Sequence, residues 1–388
     1  MSPEGTQPRF HVTESIRSVA PYIPGKPIEE TQREFGLKKV IKLASNENPL
    51  GASPKAMAAL KKALKDANRY PDATGFKLKQ ALSKMLKVSP GELTLGNGSN
   101  DVIDTSVRTF CVPGDAVVTS QAAFLAYKLS AQIHGARVIQ TPMTADLRFD
   151  LAAMLRAIRE DQGVRLVFIA NPNNPTGSYV TRDELRAFLR EVALVRGGSV
   201  VVGLDYAYWE YVTAKDLPDP LELYREFPNV IVYRTFSKVY GLSGLRVGYA
   251  LANSEIITSM EKVRQPFNLN SLALTAAEAA LSDKAFVSRS RKTNSDGLKF
   301  WKKELKKLGI PYWESQGNFL LIDAKRGLGM EAAEVYQESL RRGVILRPVA
   351  NYGLRDALRI SMGTPSENQT AIRVLKALKQ AQSAKAER

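Results

Sequence analysis

Short apolar runs rich in valine and isoleucine recur through the middle of the chain: "LTLG" (93 to 96), "AVVTS" (116 to 120), "RVIQT" (137 to 141), "RLVFIA" (165 to 170), "SVVVGL" (199 to 204), "NVIVYR" (229 to 234) and "LRVGYAL" (245 to 251). Most are separated by stretches whose apolar positions return every three or four residues, the spacing of a helix with one buried face. In "TRDELRAFLREV", Thr181 and Glu184 stand at capping-box spacing, and Leu185, Phe188, Leu189 and Val192 share one face. Strands alternating with helices predict a mostly parallel sheet covered on both sides, so the fold class is α/β.

Outside that region the pattern changes. Residues 1 to 45 are loop-rich, and the C-terminal third holds long helices, the strand-like "GNFLLIDA" and "GVILRP", and a last helix that Ser366 and Gln369 would cap. A smaller domain is expected there. With 388 residues and 44% hydrophobic content the chain can bury a large core in two or three domain-sized units. Cys111 is the only cysteine and His11 and His134 the only histidines, which excludes an internal disulfide and a Cys/His zinc cluster. The N-terminal "MSPEGTQPRF" lacks an apolar stretch, and no run approaches the ~18 apolar residues of a membrane span, so a reducing, cytoplasmic location is expected.

The formal charge of +16 would suit a nucleic-acid partner. In "DGLKFWKKELKKLGI", however, Leu298, Trp301, Leu305 and Leu308 fall at helical spacing, which leaves Lys299, Lys302, Lys303, Lys306 and Lys307 on solvated faces. No zinc finger, RNA-binding aromatic motif or helix-turn-helix is evident, and small anionic substrates account for the charge more simply.

Four polar constellations stand where a strand run gives way to a loop, the edge at which open α/β sheets bind ligands. "NGSND" follows "LTLG", "NPNNPTG" follows "RLVFIA", "DYAY" follows "SVVVGL", and "TFSK" follows "NVIVYR". Singly each has a plain reading: "NPNNPTG" as a turn, Asp205 as a cap, Lys238 as a surface charge, and "NGSND" as a turn with its N-cap at Ser99 or Asn100. A Gly-rich turn feeding a helix also aims free N–H groups at an anion.

Together, "NPNNPTG", "DYAY", "TFSKVYGLSGLRVGY" and "ALRISMGTPSEN", in this order and spacing, resemble the fold type I pyridoxal-phosphate aminotransferases, most closely histidinol-phosphate aminotransferases. The resemblance extends to "PYIPGKP", "LASNENPLG", "RYPD" and "GVILRP". It implies a large domain, 46–270, built on a mostly parallel seven-stranded sheet and holding pyridoxal 5'-phosphate. A smaller α+β domain, 271–388, and an N-terminal segment, 1–45, that packs with it complete the implied chain.

Lys238 matches the lysine that carries the cofactor as an imine and then shuttles the proton between the substrate Cα and the cofactor. Asp205 matches the acid beside the pyridine nitrogen. Asn174 and Tyr208 match the donors to the cofactor's phenolic oxygen, and Phe124 matches the aromatic that stacks on its ring. Ser99, Asn100, Ser237 and Arg246 match the phosphate cradle, and Tyr70 a phosphate contact from the neighbouring subunit, which implies a homodimer. Two departures stand out: Asn100-Asp101 where such proteins commonly read Asp-Glu, and Ala122-Ala123 where they read Pro-Thr.

The reaction implied passes the amino group of L-histidinol phosphate to 2-oxoglutarate. Arg359 matches the anion-binding arginine, whose planar fork suits phosphate and carboxylate alike. Arg347 is a second candidate cation, with a surface salt bridge as its plain reading, and Tyr22 a candidate wall of the substrate pocket; Asn174 also borders that pocket. An aromatic or broad-range aminotransferase, a threonine-phosphate decarboxylase and a transcription regulator with an aminotransferase-like sensor domain would share much of this machinery. The region before "ENPLG" lacks a helical pattern long enough for the DNA-binding module of the last.

Overall fold

A computed structural model describes residues 10–17, 19–21 and 24–386. After the short β1 (Ile41–Lys42), seven strands form the central sheet: β2 (Leu93–Gly96), β3 (Ala116–Ser120), β4 (Arg137–Thr141), β5 (Val164–Ala170), β6 (Val201–Asp205), β7 (Val230–Thr235) and β8 (Gly248–Leu251). Their order is β2-β8-β7-β6-β5-β3-β4, with β8 antiparallel to both neighbours and the other pairings parallel. The valine and isoleucine runs are buried on both faces, as a sheet between helix layers requires.

The remaining strands are β9 (Tyr312–Trp313), β10 (Phe319–Asp323), β11 (Val344–Ile345), β12 (Arg347–Val349) and β13 (Leu354–Ser361). Four of them make an antiparallel sheet in the order β12-β13-β10-β9, packed with helices Lys284–Lys307, Ala332–Arg341 and Pro365–Ala386 around a second hydrophobic core. β1 pairs in parallel with β11, which stitches the segment after residue 40 to the C-terminal region. The helix Ser271–Leu281 instead buries Ala273, Ala276, Ala277 and Ala280 in the core of the central sheet.

Local signals explain the element ends. Thr181 and Glu184 form the capping box of helix Arg182–Leu194, whose buried face is Leu185, Phe188, Leu189 and Val192. Trp301 and Leu305 are buried in helix Lys284–Lys307, while Lys299, Lys303, Lys306 and Lys307 are exposed and Lys302 half-buried. The last helix corrects an expectation. Its cap is Thr364, whose hydroxyl accepts from the Glu367 N–H at 3.4 Å while the Glu367 carboxylate accepts from the Thr364 N–H at 2.7 Å. Pro365 takes the first helical position, where a missing N–H costs nothing, so the box lies two residues before Ser366 and Gln369. "GVILRP" is likewise two strands, not one: β11 serves β1, and β12 serves β13.

Candidate active site

The C-terminal ends of β2, β3, β5, β6 and β7 open onto a cavity of about 280 Å³. Ser99, Asn100, Phe124, Asn174, Asp205, Tyr208, Ser237, Lys238, Arg246, Arg347 and Arg359 all line it. Tyr70 does not: it is 85% exposed, with its ring 5.0 Å from that of Phe267. Tyr22 lies outside the described residues.

After β2 the chain turns at Gly98, with φ 85°, and enters helix Ser99–Phe110. Gly98 itself is the N-cap, in place of Ser99 or Asn100, and it brings no capping side chain. The nearby acid looks away: the Asp101 carboxylate accepts from the Asn97 N–H at 2.7 Å and from the Asn268 amide at 2.8 Å. The helix therefore presents the positive end of its dipole and uncapped N–H groups to the cavity. Arg246 closes the same end. Its guanidinium donates to the Ser243 carbonyl at 3.0 Å and reaches the Ser237 hydroxyl at 3.4 Å. A Cβ on Gly98 would stand 2.4 Å from Arg246 Nη2, so glycine is what lets the guanidinium lie against the helix start. This end of the cavity suits an anion.

Asp205 ends β6 and is buried. The Tyr127 hydroxyl donates to it at 2.7 Å and the Ala207 N–H at 3.0 Å. Burial pushes its carboxyl above the usual range, against these two donors and the positive charges of Lys238 and Arg234. A cation placed against Asp205 would draw it back to the ionised form. The Tyr127 ring stacks on Phe168 at 4.7 Å, and Gly203 leaves room for Phe168 and Tyr233 to meet over β6, since a Cβ there would stand 2.6 Å from the Tyr233 ring. Sequence reasoning passed over Tyr127, although it stands one helical turn beyond Phe124.

Lys238 follows β7. Burial, and secondarily the charge of Arg359, bring its ammonium down to about 8, so roughly a tenth is free amine at pH 7, far more than for an ordinary lysine. Its Nζ lies 5.6 Å from the centre of the Tyr208 ring. Burial pushes Tyr208 up to about 12, so it keeps its proton.

Arg359 comes from β13 of the other sheet. It is buried, donates to Asn174 Oδ1 and to the Ala44 carbonyl, and faces the Phe319 ring at 5.5 Å. The bond from Arg359 fixes the Asn174 amide so that its NH₂ is left for the cavity. Arg347 pairs across strands with Arg359, on the neighbouring β12. Asn46, also in the cavity wall, was not singled out from sequence, where nothing in "LASNENPLG" separates it from an ordinary turn residue.

The family model for aminotransferase class I and II matches residues 38–375. The chain is 46% identical to histidinol-phosphate aminotransferase of Bdellovibrio bacteriovorus over 363 residues, covering 93% of this chain and 96% of that protein. It is 46% identical to histidinol-phosphate aminotransferase 2 of Pseudomonas fluorescens, covering 93% and 95%. Among solved structures, histidinol-phosphate aminotransferase from Sinorhizobium meliloti in complex with pyridoxal-5'-phosphate superimposes with a TM-score of 0.86 at 28% identity, over 97% of this chain and 99% of that one.

Proposed function

Because the chain belongs to the class I and II aminotransferases, we propose that it passes the amino group of L-histidinol phosphate to 2-oxoglutarate, giving imidazole acetol phosphate and L-glutamate, with pyridoxal 5'-phosphate as cofactor. The residues fit that cofactor. The uncapped helix start with Arg246 and Ser237 suits its phosphate, and the buried carboxylate of Asp205 suits a protonated ring nitrogen. The Asn174 NH₂ and the Tyr208 hydroxyl suit its phenolic oxygen, Phe124 its ring face and the Lys238 amine its aldehyde. When bound, pyridoxal phosphate supplies a sink for the electron pair left at the substrate Cα.

In this reading the chain's own groups do the rest. Lys238 would hold the cofactor through its amine, and that amine, when the substrate's own takes its place, would take and return the proton at the substrate Cα. Burial at this position favours the free amine from which both roles start. Asp205 would hold a positive ring nitrogen and so strengthen the sink. Arg359 binds the substrate anion, with Arg347 as a candidate second cation and Tyr22 as a candidate wall.

The observation that carries the substrate reading is the buried Arg359 fork beside Lys238, in a chain whose relatives at 46% identity bear the histidinol-phosphate name. Aminotransfer is ping-pong, so donor and acceptor occupy one site in turn, and one fork must serve phosphate and carboxylate. Arg359→Ala is expected to lower kcat/KM of each half-reaction on the order of tenfold to a hundredfold, the loss of a charge-assisted contact, with part recovered in Arg359→Lys. Single-turnover kinetics followed by cofactor absorbance measure each half. Slowing of the 2-oxoglutarate half alone would move phosphate recognition elsewhere. A donor panel of histidinol phosphate, phenylalanine, tyrosine and aspartate tests the substrate itself.

The same reading makes the protein a cytoplasmic homodimer. The exposed Tyr70–Phe267 pair supports this, since Tyr70 would then reach the neighbouring subunit's phosphate cradle.

A further inference from the structure

Asn46 is 1% exposed and holds φ 54°, a left-handed conformation that asparagine tolerates better than most residues. Its backbone N–H donates to the Ser361 hydroxyl at 2.8 Å, and its carbonyl accepts from the Asn318 amide at 2.9 Å. The Ser361 hydroxyl has a single proton, which goes to Asn46 Oδ1 at 2.9 Å. The Asn46 NH₂ is thereby left to donate to the Tyr208 hydroxyl oxygen, at 2.9 Å.

A phenol whose oxygen accepts from Asn46 must send its own proton elsewhere, and Tyr208 lines the cavity. We propose that Asn46 is a positioning residue: held by Ser361 and Asn318, it donates to Tyr208 and so aims the Tyr208 proton at the phenolic oxygen of the bound cofactor. The inference rests on the pyridoxal-phosphate reading above. The groups that act on Tyr208 are Arg359, which favours its ionisation, Asp205 and Tyr352, which oppose it, and Lys238 over its ring, with Tyr211 also coupled to it. Asn46 also strengthens Tyr208 as a donor, because a hydrogen bond to the phenol oxygen eases the release of its proton.

The test is a pH titration of the visible absorbance of the pyridoxal-phosphate-loaded protein, a readout separate from turnover. A donor to the cofactor's phenolic oxygen favours the anion there, so weakening it raises the titration midpoint. Asn46→Gly, which keeps the left-handed backbone accessible, is expected to raise the midpoint by roughly half a unit to one unit in the wild-type background, and Tyr208→Phe by more. In the Tyr208→Phe background Asn46→Gly should add nothing, the sign of two residues acting as one unit. Asn46→Asp keeps size and turn conformation but offers an acceptor. Its shift should be larger with Tyr208 present than in Tyr208→Phe, and the difference removes the direct effect of the added charge. Equal shifts in both backgrounds, or no shift beside Tyr208, would overturn the role of Asn46. A wild-type protein that takes up no pyridoxal phosphate would overturn the cofactor reading instead.

Discussion

A single buried amine makes its own contribution to the pH dependence of stability in the cofactor-free protein. Lys238 titrates near 8 in the fold and near its ordinary 10.5 in the unfolded chain. Below pH 8 the folded state bears the full cost of a buried charge. Between 8 and 10.5 the unfolded chain binds more protons, so stability climbs with pH, and above 10.5 the effect is complete. Lys238→Met is therefore expected to stabilise the cofactor-free protein at neutral pH, on the order of 3 kcal/mol, with the gain fading as pH rises toward 10.5. Thermal unfolding of both proteins across that range measures it, and a gain independent of pH would mean that packing, not charge, is responsible. At this scale the sequence was most informative where a residue type is demanded by chemistry, as with the lysine after β7 and the acid ending β6. It said little about Asn46 and Tyr127, whose partners are distant in the chain and whose residue types are common in turns and cores.

Among the elements, helix Ser99–Phe110 is the one whose start carries the cofactor reading. Gly98→Ala would impose a side chain at φ 85° and set a Cβ 2.4 Å from Arg246 Nη2, forcing either the turn or the guanidinium to move. Pyridoxal-phosphate affinity, followed by fluorescence titration of the stripped protein, is expected to fall tenfold or more, the loss of about one charge-assisted contact. Unchanged affinity would place phosphate binding elsewhere. Strands were legible here because β-branched runs bounded by turns and buried on both faces leave few alternatives, as in β3, β5 and β6. Partner choice was not. Hydrophobicity alone does not tell "GVILRP" that Val344 and Ile345 join β1 while Arg347 joins β13, and capping-box spacing at Ser366 competed with the better box that Pro365 completes at Thr364.

For the whole molecule, the proposed homodimer can be tested through the sites it would share. A subunit with Lys238→Ala keeps Tyr70, and a subunit with Tyr70→Ala keeps Lys238. Mixed at equal amounts after denaturation and refolding, half the dimers are hybrids, and each has one site with both residues, so roughly a quarter of wild-type activity should return. No gain over the separate variants would mean that Tyr70 serves its own subunit or no site at all. The hydrogen bonds between Asn46 and Ser361, 315 residues away, reach into how the protein is made. At bacterial and eukaryotic elongation rates of about 5–20 residues per second, the segment carrying Asn46 leaves the ribosome roughly a quarter of a minute to a minute before its partner strand is synthesised. The central sheet can assemble on the nascent chain in that interval, while the wall of the cavity formed by residues 44–46 waits for β13. Competence to hold the cofactor in its working orientation is thus among the last properties the growing chain acquires.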